Sequence, residues 1–264
     1  MMGPTHAVSG PVLSLSVIAP LNTLLATSGY PLVTGLGVIP LLAASLGAGI
    51  LPDIDHPSAT PARTLGPVTK LVSQTINLLT GGHRGATHSL LGLAGFTWVP
   101  WRLGQQGGWG YGVWLGFLAA IAVSALKWTP IKNPVLNTAL CLGAGVGLTV
   151  FTRYIPFDPW PVTVGTALGV AAHLVGDMLT KDGCPLLWPL PMRFHIASLT
   201  TGKDGELLFR NLLWGGLAGL VVYQSSLAAV TGHALGWPAW AVALAVGAAA
   251  MVASRLLTHK SAAT

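Results

Sequence analysis

Apolar residues in this chain gather into long runs, and the short segments between them hold most of the polar and charged positions. The runs fall at 11–28, 32–51, 87–101, 109–126, 134–152, 161–180, 211–230 and 237–257. A helix that crosses a bilayer needs about 20 predominantly apolar residues, and several of these runs are short or broken by Gly and Pro. The pattern therefore predicts an all-α, polytopic membrane bundle with six to eight spans. The first run lacks a basic leading region and a small-residue cleavage site, and another apolar run follows almost at once, so it is expected to be retained. No internal repeat is visible, which sets the chain apart from the inverted-repeat plan of many transporters. It reads as one integral membrane domain, 1–264, with polar motifs in two loops, 52–86 and 181–210.

Composition agrees. Of 264 residues, 52% are hydrophobic and only 8% charged, against about a quarter charged in a soluble domain. The two cysteines, Cys141 and Cys184, are too few and badly placed for a disulfide framework and lack metal-ligand spacing. The net charge of +6 tells less than its distribution. If all eight runs cross, one face collects every Lys and Arg except Arg102 and Arg153, including Lys127, Lys132, Arg255 and Lys260. The positive-inside rule makes that face cytoplasmic and puts both termini on it. No basic reading motif is present, so a nucleic-acid partner is not expected. Trp98, Trp101, Trp109 and Tyr111 read as an outer aromatic belt.

The few acids and imidazoles are concentrated. Asp53-Ile-Asp55-His56 lies between Pro52 and Pro57 at the end of the second run, where proline holds the backbone irregular. Both carboxylates can approach one cation, or one can bind it while the other orients a ligand or takes a proton; the plain alternative is a helix cap. The loop that follows includes a modestly apolar stretch, 68–79, that reads as an interfacial helix beside Arg63 and Lys70.

Next comes His83-Arg84-Gly85-Ala86-Thr87-His88-Ser89. The spacing puts His83 in the loop and His88 in the first helical turn, with Thr87 as candidate N-cap. Arg84 and Arg63 are candidate anion-binding groups, Arg84 at a helix start that already favours an anion. His173 and Asp177, four residues apart in the sixth run, share one helical face, and Thr180 returns to it. Such a pair can reach one metal ion, or Asp177 can pair with Lys181. An ionisable group at bilayer depth faces a cavity or a partner. His6 and Glu206, in flanking polar segments, are weaker candidates.

Together these residues resemble the YdjM-type family of inner membrane-associated, LexA-regulated metal-dependent hydrolases. The matching pieces are Thr5-His6, Asp53 to Ser58, His83 to Ser89, His173-x-x-x-Asp177-x-x-Thr180-x-x-Gly183, Leu187-Trp188-Pro189, and Glu206. The resemblance implies a helical membrane fold distantly similar to zinc-dependent phospholipases C and single-strand nucleases, which hydrolyse phosphate esters with His and Asp ligands around zinc. The chain departs from those soluble enzymes in lacking an amino-terminal Trp and a His-x-x-x-Glu pair after Asp177. One or two ions, zinc or else Mn²⁺, are expected rather than three, with ligands drawn from His6, Asp53, His56, His83, His88, His173 and Asp177.

The expected function is hydrolysis of a lipid or lipid-linked phosphate ester at the cytoplasmic face of the inner membrane. Asp53 or Asp55 would act as base or orienter, and Arg84 would stabilise the phosphoryl charge. Arg63, Arg84, Thr180 and Glu206 would bind substrate. The rival readings are a cation transporter and a metal-stabilised, non-catalytic membrane protein. Oligomeric state is not readable from the residues.

Overall fold

A computed structural model describes residues 2–26, 33, 37–107, 109–126, 133–154, 158–197 and 199–231. Its helices are α1 (Gly3–Ala26), α2 (Val38–Ala48), α3 (Thr60–Arg63), α4 (Pro67–Leu79), α5 (Leu90–Gln106), α6 (Gly110–Leu126), α7 (Pro134–Tyr154), α8 (Trp160–Met178) and α9 (Asp204–Thr231). Tight 3-10 turns occupy Leu51–Asp55 and Ala86–His88. Among the described residues, β pairing is limited to two isolated bridges, Thr180 with Leu199 and Cys184 with Phe194. The described residues are all-helical, as the apolar runs predict.

The span count is another matter. Among the described residues one helix, Val135–Tyr154, is long and apolar enough to cross a membrane. It turns Val135, Leu136, Leu142 and Val146 outward. The run at 32–51 predicts a span, yet α2 has only 11 residues. At 1.5 Å per residue it reaches about 16 Å, half of a ~30 Å hydrocarbon core. The helix ends ahead of Gly49, and Pro52 opens the 3-10 turn that carries the acidic pair. The run at 237–257 lies outside the described residues, as do Lys127, Lys132, Arg255 and Lys260.

The core gathers α1, α2, α6, α8 and α9 around Val8, Ala48, Leu115, Leu118, Val170 and Trp214. Small residues let α1, α2 and α8 approach closely, as they do in membrane bundles. A Cβ at Gly169 would stand 2.5 Å from the Ser45 carbonyl oxygen and 2.8 Å from Cβ of Ala48, closer than real Cβ atoms come. This crossing lies one turn before His173, so it sets where that imidazole sits. Gly169→Leu is expected to push α8 off α2 and cost about 1–3 kcal/mol as overpacking does, read as a lower melting temperature in detergent. An unchanged melting temperature would mean that the crossing has slack.

The loop helix α4 is inverted relative to a soluble amphipathic helix. Thr69 and Ser73 are buried while Val68, Leu71, Leu78 and Leu79 are exposed. This is the outward apolar face that an interfacial helix requires. Its inner side is tied to the acidic turn, since Asn77 Nδ2 donates to the Asp55 carbonyl at 2.7 Å.

Candidate metal centre

Four distant stretches meet at one place: the start of α1, the Leu51–Asp55 turn, the loop leading into α5, and the last turns of α8. The turn separates the roles of its two acids. A 3-10 helix advances about 120° per residue, so side chains two apart leave in different directions. Asp53 turns toward His88 and His173, and Asp55 turns toward His83 and Thr87.

Asp53 Oδ1 lies 3.5 Å from His88 Nε2 and 3.8 Å from His173 Nε2. Asp177 Oδ2 lies 3.6 Å and 3.8 Å from the same two nitrogens. A tetrahedral zinc with bonds of about 2.0–2.1 Å sets its ligands roughly 3.3–3.4 Å apart. Along these four edges the atoms stand only a few tenths of an ångström wider than such an ion requires. The nitrogens are suited to it: both His88 Nε2 and His173 Nε2 are buried and have no hydrogen-bond partner. An unsatisfied buried nitrogen costs about 1–3 kcal/mol, and a cation between two of them removes that cost. By donor type and spacing, the residues fit a metal ion. Asp53 is the opening, with its side chain 20% exposed, while His88, His173 and Asp177 are sealed.

The surroundings hold these ligands in orientation. His173 Nδ1 sits 2.8 Å from the carbonyl of Gly49, an oxygen that only accepts. Nδ1 therefore carries the proton, and Nε2 presents its lone pair. His88 Nδ1 lies 3.0 Å from Thr87 Oγ1 and 3.2 Å from Asp55 Oδ2, the carboxylate–histidine pairing common behind metal ligands. Asp177 uses its other oxygen, Oδ1, for His6 Nε2 and Arg84 Nη2, both at 3.3 Å. The His6 ring stacks on His173 at 3.8 Å. The Cys184 thiol donates to the His88 carbonyl at 3.0 Å.

Asp55 is the hub of this outer layer. It is fully buried and accepts from the Arg84 amide at 3.0 Å and from the Thr87 hydroxyl, with His83 Nδ1 at 2.9 Å. Burial alone would raise its pKa, but the bonds from His83, His88 and Thr87 outweigh it and hold the carboxyl below the usual carboxylate range. Asp53 is held low too: burial opposes ionisation, and the imidazoles of His173, His88 and His6 override it. Burial, reinforced by Asp177, pushes the Cys184 thiol up to about 12, so it remains a donor and not a thiolate ligand.

Three overlapping groups have metal-binding proximity: His6, His173 and Asp177; Asp53, His88 and His173; and Asp55, His83 and His88. The first two compete for the single lone-pair nitrogen of His173, and in the third Nδ1 of His88 faces Thr87 and Asp55.

The remaining candidates lie around the centre. His56 takes its Nδ1 to Ser58 and sets its ring edge-on against His83 at 4.6 Å. Arg63 is exposed at the end of α3. Arg84 has acidic company rather than an open anion site, with Asp182 Oδ2 at 3.2 Å besides Asp177. Thr180 is buried and donates to the Asp177 carbonyl at 2.7 Å. Glu206 is buried and accepts from the Met2 amide and, at 2.6 Å, from the Gly202 amide. Thr180 and Glu206 thus fasten helix ends.

Thr87 is not the N-cap; Ser89 is, accepting from the Gly92 amide at 3.2 Å. The 3-10 turn at Ala86–His88 starts α5 later than the apolar run suggests and frees the Thr87 hydroxyl for Asp55. Sequence reading missed Gly49, Asn77 and Cys184. The Gly47-x-Gly49 pair beside a polar run is a signal for a close helix crossing, but nothing local marks Asn77 or Cys184.

Fold and site together define an all-helical membrane protein with a His/Asp centre of metal-binding type. The chain belongs to the YdjM inner membrane protein family, whose profile matches residues 1–259. It is similar to inner membrane protein YdjM of Escherichia coli (strain K12) and to that of Shigella flexneri, in each case 29% identical over 161 residues. That alignment covers 60% of this chain and 54% of the relative, so the match spans about half the relatives' length. No solved structure matches.

Proposed function

We propose that the protein is a membrane-embedded hydrolase holding one divalent cation, zinc before Mn²⁺, and acting on a phosphate ester of a lipid or lipid-linked substrate. The observation that carries this reading is the convergence of two buried, unsatisfied imidazole nitrogens with two carboxylates, of which only Asp53 opens to solvent. Imidazole with carboxylate suits zinc. Bound there, the ion would supply a Lewis acid and lower the pKa of water toward 7.

The chain's own residues divide the remaining work. His88, His173 and Asp177 grip the ion; Asp55, Thr87 and the Gly49 carbonyl orient the two imidazoles; His6 and Arg84 hold Asp177. Asp53 stands at the open side, where it accepts a proton from water. The site and both termini face the cytoplasm in this proposal, on the strength of the Lys and Arg distribution. Six to eight spans then include helices shorter than α7.

One observation favours a second reading. The Asp53 distances match those of Asp177, so four protein ligands can close the site, as in structural zinc centres. Asp53→Asn separates the two, because the amide keeps an oxygen ligand but is no base. If the protein is a hydrolase, the variant keeps about one zinc per chain while turnover falls roughly 10²-fold or more, the usual contribution of a general base. The assay set is phosphatidic acid, phosphatidylglycerol, an isoprenyl phosphate and a nitrophenyl phosphodiester, with zinc measured by elemental analysis. Zinc-loaded wild type that cleaves none of them would overturn the hydrolase reading. A melting temperature that falls on chelation would then favour the structural one.

A further inference from the structure

An open groove of about 500 Å³ runs between α5 and α8, walled by Leu90, Leu93, Trp98, Trp101, Trp160 and Val164. Its remaining walls are Ala94, Thr97, Thr163 and Ala167. The two threonines do not make it polar. Thr97 turns its hydroxyl onto the Leu93 carbonyl at 2.8 Å and Thr163 onto the Pro159 carbonyl at 3.4 Å, so each bonds within its own helix. The volume falls within the roughly 300–1,000 Å³ typical of ligand clefts.

The placement of the groove is what gives it meaning. The two helices are antiparallel, since Gly104 near the end of α5 abuts Pro159 before α8. One end of the groove is Leu90, two residues from His88, and on the other wall Ala167, six residues or ~9 Å along the helix from His173. From Leu90 to Trp101 the α5 wall extends eleven residues, about 16 Å, to the three tryptophans at the far end. A channel that is apolar throughout, with its near end two residues along the chain from His88, suits an amphiphile: a charged head toward the ion, a hydrocarbon tail along the helices. Leu90, Trp98, Trp101 and Trp160 are all exposed, so the channel opens sideways and a chain can enter from the bilayer without leaving lipid.

We infer that the α5/α8 groove binds one hydrocarbon chain of a phosphate-bearing lipid, with the phosphate at the His88/His173/Asp53/Asp177 centre. The inference rests on the hydrolase reading for its choice of phosphate as head group. It adds a chain-binding site and a direction, head at Leu90 and tail end at Trp98, Trp101 and Trp160.

The test is photo-crosslinking of zinc-loaded, full-length protein in micelles with phosphatidic acid carrying a diazirine either near the ester or at the end of one chain. The ester-proximal probe should label peptides containing Leu90–Ala94 and Ala167, and the terminal probe those containing Thr97–Trp101 and Trp160–Val164. Unlabelled phosphatidic acid should compete at least ten times better than diacylglycerol. Ala94→Phe, with Ala167→Phe as the second variant should the first fail to fold, should lower labelling at least fivefold at unchanged zinc content. Equal competition by diacylglycerol, or labelling spread evenly around the outward helix faces, would mean ordinary surrounding lipid and would overturn the proposal. Ordered labelling in a protein that hydrolyses nothing would remove the hydrolase reading alone. Turnover of the nitrophenyl phosphodiester with the groove unlabelled would remove the groove alone.

Discussion

His173→Ala is expected to take the purified protein from about one zinc per chain to essentially none after dialysis against a weak chelator. Zinc in structural sites with four protein ligands is bound by roughly 10–16 kcal/mol. Shared evenly, that is about 3 kcal/mol per ligand, or on the order of 10²-fold in affinity. His173 should carry at least an even share, because its Nε2 faces both Asp53 and Asp177 at 3.8 Å. The Gly49 carbonyl already fixes its tautomer, so little orientational entropy is lost when it ligates. Its loss also exposes that carbonyl and one face of the His6 ring inside the bundle. His56→Ala is the control, since His56 bonds Ser58 and meets the centre only through the edge of His83; zinc content should be unchanged. Elemental analysis and titration calorimetry read both variants. His173→Ala holding zinc as tightly as wild type would place the ion elsewhere and remove the basis of the proposed function.

What the sequence reveals and conceals about this centre follows from the range over which each signal acts. His173 and Asp177 are legible because helical periodicity is local: four residues apart inside an apolar run puts both on one face, and the structure keeps them there. His88 is legible as a site residue for a similar reason, being polar at the mouth of an apolar run. The division between Asp53 and Asp55 is not legible. In a strand, or in a helix of 3.6 residues per turn, the pair would point in other directions, and only the 3-10 turn sends one acid to the ion position and the other behind His88. Glu206 reads as a loop acid. Its role as an anchor for the Met2 amide depends on a contact between opposite ends of the described chain. The length of α2 was hidden as well, because an apolar run does not say where Gly49 and Pro52 end its helix.

The acid whose loss should cost most stability is not the one nearest the ion. Asp55→Ala removes the acceptor for the Arg84 amide and the Thr87 hydroxyl and the partner of His83 and His88; Asp55, Thr87 and His88 are buried, while His83 is partly open to solvent. Breaking one side of a buried charged pair costs about 3–5 kcal/mol. In a domain of this size that lowers the melting temperature by roughly 10 °C. Arg84 adds to the effect: it sits at φ 62°, a region that strains a non-glycine residue by about 1–3 kcal/mol, and its amide bond to Asp55 helps hold it there. Asp55→Asn should fall between wild type and alanine, because one oxygen survives to accept while the new amide opposes the Arg84 N–H or the Thr87 hydroxyl. Both variants should also weaken zinc binding by about 10–100-fold, as loss of a carboxylate behind a ligating histidine does. Melting curves in detergent with and without chelator separate the contributions. The fall should persist in full in the metal-free protein for Asp55→Ala and be smaller there for Asp53→Ala, whose carboxylate is partly open to solvent. Metal-free Asp55→Ala that melts with metal-free wild type would show that the buried network contributes nothing by itself, and that Asp55 acts through the ion alone.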